Sequence, residues 1–233
     1  MFIICGMLLP KIENIKNKYS ALIFDLDGTL LDSMTLWFRV DQEFLSRRGF
    51  EVTSDYTDFV KSASMEEGAI YTQERFGLSE SPEEIMNEWN RMVYTEYKEK
   101  IRLKDGAYDY IVAAVGAGLK IACATALSKE NATAALTSNG ITGYVDNLIT
   151  LDDIGDKINK SDPHIYLLTS SALGIPPDRC LVFEDIPAAI SGARNGGFGT
   201  CAVYDDIGCN YGEQWGEMTS ISDYAFKDWR TLI

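Results

Sequence analysis

Two carboxylates two residues apart, followed by a glycine, stand at Asp25-Leu26-Asp27-Gly28-Thr29, where the apolar run ALIFD ends. Glycine permits a tight turn there, so both side chains can point into one pocket. Carboxylates without a histidine suit a hard cation that prefers oxygen ligands, such as Mg²⁺. A carboxylate can also attack phosphorus and form an aspartyl-phosphate. Read alone, D-x-D-G is more simply a polar turn behind a core strand. Three later positions bear on the choice: Thr125 closes the run LKIACAT, Lys160 precedes a helix start at Pro163, and Glu184-Asp185 closes CLVFED. Alone, each has a plain reading as a turn former, a solvated lysine or a solvated strand end. The position of Glu184-Asp185 after LVF and before a helix favours a site.

These residues need a frame that brings them together. Short apolar runs at 21–25, 119–125, 147–151, 180–185 and 199–203 predict buried strands, bounded by turn residues. Helical patterns fall between them, at 107–117, from about 128 to before Gly140, at 163–173 and at 187–197. Strands alternating with helices predict an α/β fold, a doubly wound parallel sheet with helices on both faces. Such sheets bind ligands beyond the carboxyl ends of their strands, the rim on which Asp25, Asp27, Thr125 and Asp185 would converge. Residues 33–103 carry only helical patterns. Ser81-Pro82-Glu83-Glu84 marks one start there, a helix predicted to run to about Lys100. The block is too long for an ordinary crossover. The expected organisation is an α/β core of residues 1–32 and 104–233 with an all-helical cap, 33–103, inserted after the first strand. The tail 222–233 is expected to add an edge strand and a last helix.

The run IFDLDGTLLDS, with Thr125, Lys160 and Glu184-Asp185 following in order, resembles the haloacid dehalogenase superfamily. The resemblance is to its helical-cap branch, that of β-phosphoglucomutases and phosphoglycolate phosphatase-like hydrolases, and it spans the chain from Tyr19 onward. It implies that Asp25 is the nucleophile and that Asp27 protonates the leaving oxygen and then deprotonates water, help worth roughly 10²–10⁴-fold. It implies Mg²⁺ held by Asp25, the backbone carbonyl of Asp27, and Asp185 with Glu184 close by. Thr125, beside Ala126, would bind the phosphoryl oxygens, and Lys160 would neutralise charge on the phosphoryl group and nucleophile. Where the family often has K-P-x-P, this chain reads Lys160-Ser161-Asp162-Pro163, without the first proline.

The resemblance implies a phosphatase acting on a small phosphorylated metabolite, a sugar phosphate by preference, with the cap closing to exclude water. Mutases of this cap type carry a histidine in the first cap helix; this chain has Trp37 at that spacing, so hydrolysis gains. Lys61 and Ser62 fall where the family places a substrate-specificity loop. A phosphonatase reading would need Lys61 as a Schiff-base lysine. Dehalogenase chemistry does without the second aspartate and the metal, and is disfavoured. A catalytically idle binding protein is the alternative from a different class.

The 233 residues are 46% hydrophobic and 24% charged, ordinary for a soluble enzyme. A formal net charge of −14 argues against nucleic acid as partner. Five cysteines, Cys5, Cys123, Cys180, Cys201 and Cys209, form no C-x-x-C pair and read as buried free thiols. The opening MFIICGMLLP is too short to span a bilayer and lacks the flanks of a signal peptide. With KIENIKNKYS behind it, it reads as a frayed or weakly docked terminus. The expectation is a cytoplasmic monomer with no membrane partner.

Overall fold

The computed structural model describes residues 9–60, 63–154 and 160–233. The chain splits into two compact units, Met1–Met34 with Ile101–Ile233, and Thr35–Lys100.

In the first unit a short helix α1 (Ile12–Ile15) leads to β1 (Ala21–Phe24), in which every residue is buried. The stretch 9–20 is docked rather than frayed. Pro10, Ile15 and Tyr19 are buried, and the Pro10 carbonyl accepts a 2.6 Å hydrogen bond from the Tyr110 hydroxyl. Isolated apolar residues in a polar stretch hid this contact from a periodicity reading.

The second unit is helical: α2 (Leu36–Ser46), α3 (Ser54–Val60), α4 (Met65–Phe76) and α5 (Pro82–Thr95). Ser64 and Ser81 each accept a bond from the third-residue amide while Glu67 and Glu84 reach back, so α4 and α5 begin with reciprocal caps. The helix expected to reach Lys100 changes at Glu96 into a wider π-type turn, 96–100. Buried Glu96 there takes Arg39 at 3.0 Å and Lys100 at 2.6 Å. Phe44 and Trp89 meet edge to face inside the unit, with Val40, Ile85 and Val93 also buried. Asp41 is buried among them, receiving the Tyr56 hydroxyl at 3.3 Å; burial pushes its carboxyl up to about 6.

The chain re-enters the first unit beside the point where it left, with an antiparallel bridge between Leu31 and Leu103 and a bond from the Asp32 amide to the Arg102 carbonyl. Then follow α6 (Ala107–Gly116), β2 (Lys120–Ala124), α7 (Lys129–Ser138), β3 (Asn147–Ile149), α8 (Leu151–Ile154), α9 (His164–Leu173), β4 (Cys180–Glu184), α10 (Pro187–Asn195), β5 (Gly199–Val203), α11 (Trp215–Ser220), β6 (Tyr224–Phe226) and a last 3₁₀ turn at Trp229–Leu232. All six strands are parallel, in the order β3-β2-β1-β4-β5-β6. The third strand is shorter than expected because the chain turns into α8 at Leu151.

Alternation along β1 sends its residues to two cores. Ala21 and Ile23 join Ala122, Val182, Ile165 and Tyr166. Phe24 joins an aromatic cluster with Phe183, Phe226 and Trp229; the Phe24 and Phe183 rings lie 4.6 Å apart. Trp229 also donates its indole N–H to the Thr29 carbonyl at 3.2 Å, so the tail pins the loop behind β1. Strand order reverses at β1, with β2 on one side and β4 on the other. The carboxyl ends of these three strands therefore lie side by side at the switch point, where a doubly wound sheet leaves a crevice. Cys123, Cys180, Cys201 and Cys209 are buried free thiols; Cys5 lies outside the described residues. Among the described residues no helix is long and apolar enough to cross a membrane.

Candidate active site

Asp25 follows β1 and stays buried, its amide bonded to the Phe183 carbonyl of β4. Glu184 ends β4 and Asp185 follows it, both buried. Registry of β1 with β4, Phe24 beside Phe183, places these acids next to one another. Asp25, Glu184 and Asp185 each offer a carboxylate oxygen within 4.8 Å of the others.

One cation meets them. The Lys160 ammonium donates to Asp25 and, at 2.8 Å, to Glu184, and its side chain is only 10% exposed. Burial alone would lower its affinity for a proton; the charges of Asp25 and Glu184 more than reverse this and hold it charged. Tyr166, from α9, donates its hydroxyl to the same Glu184 oxygen at 2.8 Å. Glu184 is still pushed up to about 7, first by burial and then by the Asp25 charge. Asp185 is driven well above the usual carboxylate range by burial and by the charges of Asp25 and Glu184.

Among the described residues, three buried carboxylates stand against the one ammonium of Lys160, which leaves negative charge unmatched. Two of the buried oxygens, Glu184 Oε2 and Asp185 Oδ2, have no hydrogen-bond partner among the described residues. Orphaned buried anionic oxygens are costly unless a cation or proton meets them. An all-oxygen set with an excess of negative charge fits a hard divalent cation. The loop behind β1 closes tightly on this set. Gly28 has φ +73°, and a Cβ there would stand 2.2 Å from Asp185 Oδ2, so both conformation and space require glycine.

Asp27 is half-buried, and its carboxylate accepts the Ser33 hydroxyl at 2.5 Å. Its side chain is not among the three clustered carboxylates. Thr125 is buried at the end of β2, its oxygen accepting the Leu127 amide at 3.2 Å, while Ala126 is exposed. Lys61 and Ser62 lie outside the described residues. Four residues to which the sequence reading gave no role support the site: Thr29, whose hydroxyl faces Asp185 at 3.4 Å, Ser33, Tyr166, and Lys104, which donates to the Gly28 carbonyl. Thr29 and Ser33 stand inside the run IFDLDGTLLDS, Tyr166 carries a weak signal as a tyrosine in the helix opened by Pro163, and Lys104 carries none.

The Haloacid dehalogenase-like hydrolase family matches residues 22–203. A Thermotoga maritima protein named phosphorylated carbohydrates phosphatase is 25% identical over 177 residues, 76% of this chain and 81% of that one. A Mycobacterium tuberculosis protein named beta-phosphoglucomutase is 24% identical over 216 residues, 81% of this chain and 82% of that one. Among solved structures, CbbY from Rhodobacter sphaeroides in complex with phosphate has the same fold, with a TM-score of 0.69, 22% identity, and coverage of 92% of this chain and 96% of that one.

Proposed function

The chain belongs to the haloacid dehalogenase-like hydrolases, and from that premise we propose that it is a Mg²⁺-dependent phosphatase of a small phosphorylated metabolite, working through an aspartyl-phosphate on Asp25. The observation that carries this reading is the buried set of Asp25, Glu184 and Asp185 around Lys160, with two carboxylate oxygens left unpartnered.

Asp25 attacks phosphorus through a carboxylate oxygen as the bond to the leaving oxygen breaks. Asp27 delivers a proton to that oxygen; the Ser33 hydroxyl fixes the orientation of its carboxyl group. In the second half Asp27 takes a proton from water as the water oxygen bonds to phosphorus. The acyl phosphate then cleaves, releasing inorganic phosphate and restoring Asp25. Lys160 balances the charge that builds on the equatorial oxygens, and the Thr125 hydroxyl, beside Ala126, donates to them. The carboxylates of Asp25, Glu184 and Asp185 and the Asp27 carbonyl would hold Mg²⁺, which supplies Lewis-acid stabilisation of the phosphoryl group when bound.

Residues 33–103 serve as a cap that selects the leaving group, with Lys61 and Ser62 in its specificity loop. The Thermotoga relative's name supports a phosphorylated carbohydrate as substrate. The mycobacterial relative's name raises a mutase instead. Against that, Trp37 stands where mutases of this type carry a histidine. Buried free thiols support a reducing, cytoplasmic setting, in which the enzyme works as a monomer.

The test is phosphate release from a panel of sugar and other small-molecule phosphates, by wild type and Asp25→Asn, each with Mg²⁺ and with chelator. Metal-dependent release that is lost in the variant is expected. Interconversion of two sugar phosphates without release would replace the phosphatase by a mutase.

A further inference from the structure

The chain places a second, half-buried lysine against the loop behind β1, bonded to Asp205 rather than to the carboxylates of the acidic cluster. Lys104 lies one residue beyond the Leu31–Leu103 bridge, and its amide donates to the Leu30 carbonyl at 2.8 Å. Its ammonium donates to the Gly28 carbonyl, to the Tyr204 carbonyl at 3.2 Å and to Asp205 Oδ2 at 2.9 Å, with 17% of the side chain exposed. Lys104 thus joins the loop behind β1 to the loop behind β5.

Both loops press on one atom. The other Asp205 oxygen accepts the amides of Ile207 at 2.9 Å and Gly208 at 3.0 Å, which curls the β5 loop. That curl seats Gly208 so close that a Cβ would stand 2.1 Å from Asp185 Oδ2. From the other loop, a Cβ on Gly28 would stand 2.2 Å from the same oxygen. Asp185 is therefore gripped between two glycines whose loops share Lys104, and the gripped oxygen is the one left without a partner.

We propose that Lys104 is a positioning residue: clasping the Gly28 loop to Asp205, it sets the walls that aim the Asp185 carboxylate into the cation site. This rests on the Mg²⁺-dependent reading above. The glycines are needed because any side chain would displace the carboxylate, and the lysine because its one ammonium bonds both loops at once. Outer partners of this kind typically govern metal affinity by about 10–100-fold.

Lys104→Met removes the clasp while keeping the length and apolar stem of the side chain. Calorimetric titration with Mg²⁺ alone is expected to show binding weaker by roughly tenfold or more than in wild type. With p-nitrophenyl phosphate as probe, the Mg²⁺ concentration for half-maximal rate should rise in step, while saturating Mg²⁺ returns kcat to near the wild-type value. A merely structural lysine would lower the melting temperature and leave the Mg²⁺ midpoint of the folded fraction unmoved. Should Lys104→Met fail to fold, Asp205→Asn removes the paired charge at constant volume and is read the same way. Asp185→Asn provides the reference. If it abolishes Mg²⁺ binding and Lys104→Met binds as wild type does, the clasp is wrong and the function stands. If wild type binds Mg²⁺ no better than Asp185→Asn, the cation-dependent reading is wrong and the clasp falls with it.

Discussion

In the helical unit Arg47 reaches Glu43 and Glu88, Arg48 forks to Glu80 and Glu88, and buried Glu96 takes both Arg39 and Lys100, so each of these carboxylates has a cation. In the α/β unit Asp25, Glu184 and Asp185 are buried together and, among the described residues, Lys160 is shared by Asp25 and Glu184 while two carboxylate oxygens have no partner. The first arrangement matches charge with charge, and where a pair stands in water, as Arg47–Glu43 does, it is worth little. The second concentrates unmatched charge where nothing screens it, which destabilises the fold unless something else binds. The contrast separates charge that decorates a scaffold from charge held in readiness for chemistry, and variants in each unit can break or sharpen it.

The largest effect is expected at the nucleophile. Asp25→Asn should lower phosphate release by ~10³-fold or more. It should also raise the metal-free melting temperature, because one of three crowded anions is gone. A melting temperature that falls would mean the cluster is a stabilising network, and the contrast would collapse. Lys160→Met leaves the carboxylates with no counter-cation; breaking a buried pair in this way costs about 3 kcal/mol. Denaturant unfolding without metal would show it, and added Mg²⁺ should recover part of the loss.

The helical unit also buries a carboxylate bonded to a hydroxyl rather than to a cation, and pH exposes it. Asp41 is buried and pushed up to about 6 from an ordinary value near 3.8. The folded state therefore binds the proton more tightly than the unfolded state between these values. Stability must fall as pH rises through that window, and the full penalty is present above it. Asp41→Asn should stabilise the protein at pH 7.5 by on the order of 2 kcal/mol, with the gain gone near pH 3.5. Unfolding curves at the two pH values check this. A gain that did not shrink in acid would rule out titration of Asp41 as its source. The smallest effect belongs to a surface cap: Ser81→Ala should cost about 1 kcal/mol in the same assay and leave Mg²⁺-dependent turnover unchanged.

The same contrast explains what could be read from the chain beforehand. The strands β1 and β4 are unbroken apolar runs because both faces of a parallel sheet are covered, and their ends name Asp25, Glu184 and Asp185 directly. The start of α5 was legible because Ser81, Pro82 and Glu84 act within four residues of one another. Tyr166, Lys104 and Gly208 were not legible, since each acts on a partner brought near by the fold rather than by spacing, whereas Ser33 lies six residues from its partner Asp27 inside the run IFDLDGTLLDS. For the same reason the sequence left the terminus open between frayed and weakly docked, where Ile15 and Tyr19 are in fact buried. The short helix α11 was also missed, as six residues do not display a period.

The central claim is that Asp25 becomes covalently phosphorylated. The most direct measurement is an acid quench of wild type during turnover of p-nitrophenyl phosphate with Mg²⁺, followed by peptide mass analysis. The account predicts a phosphoryl adduct on Asp25 that hydroxylamine removes and that Asp25→Asn does not form. Turnover without any adduct, or with the phosphoryl group on another side chain, would contradict it.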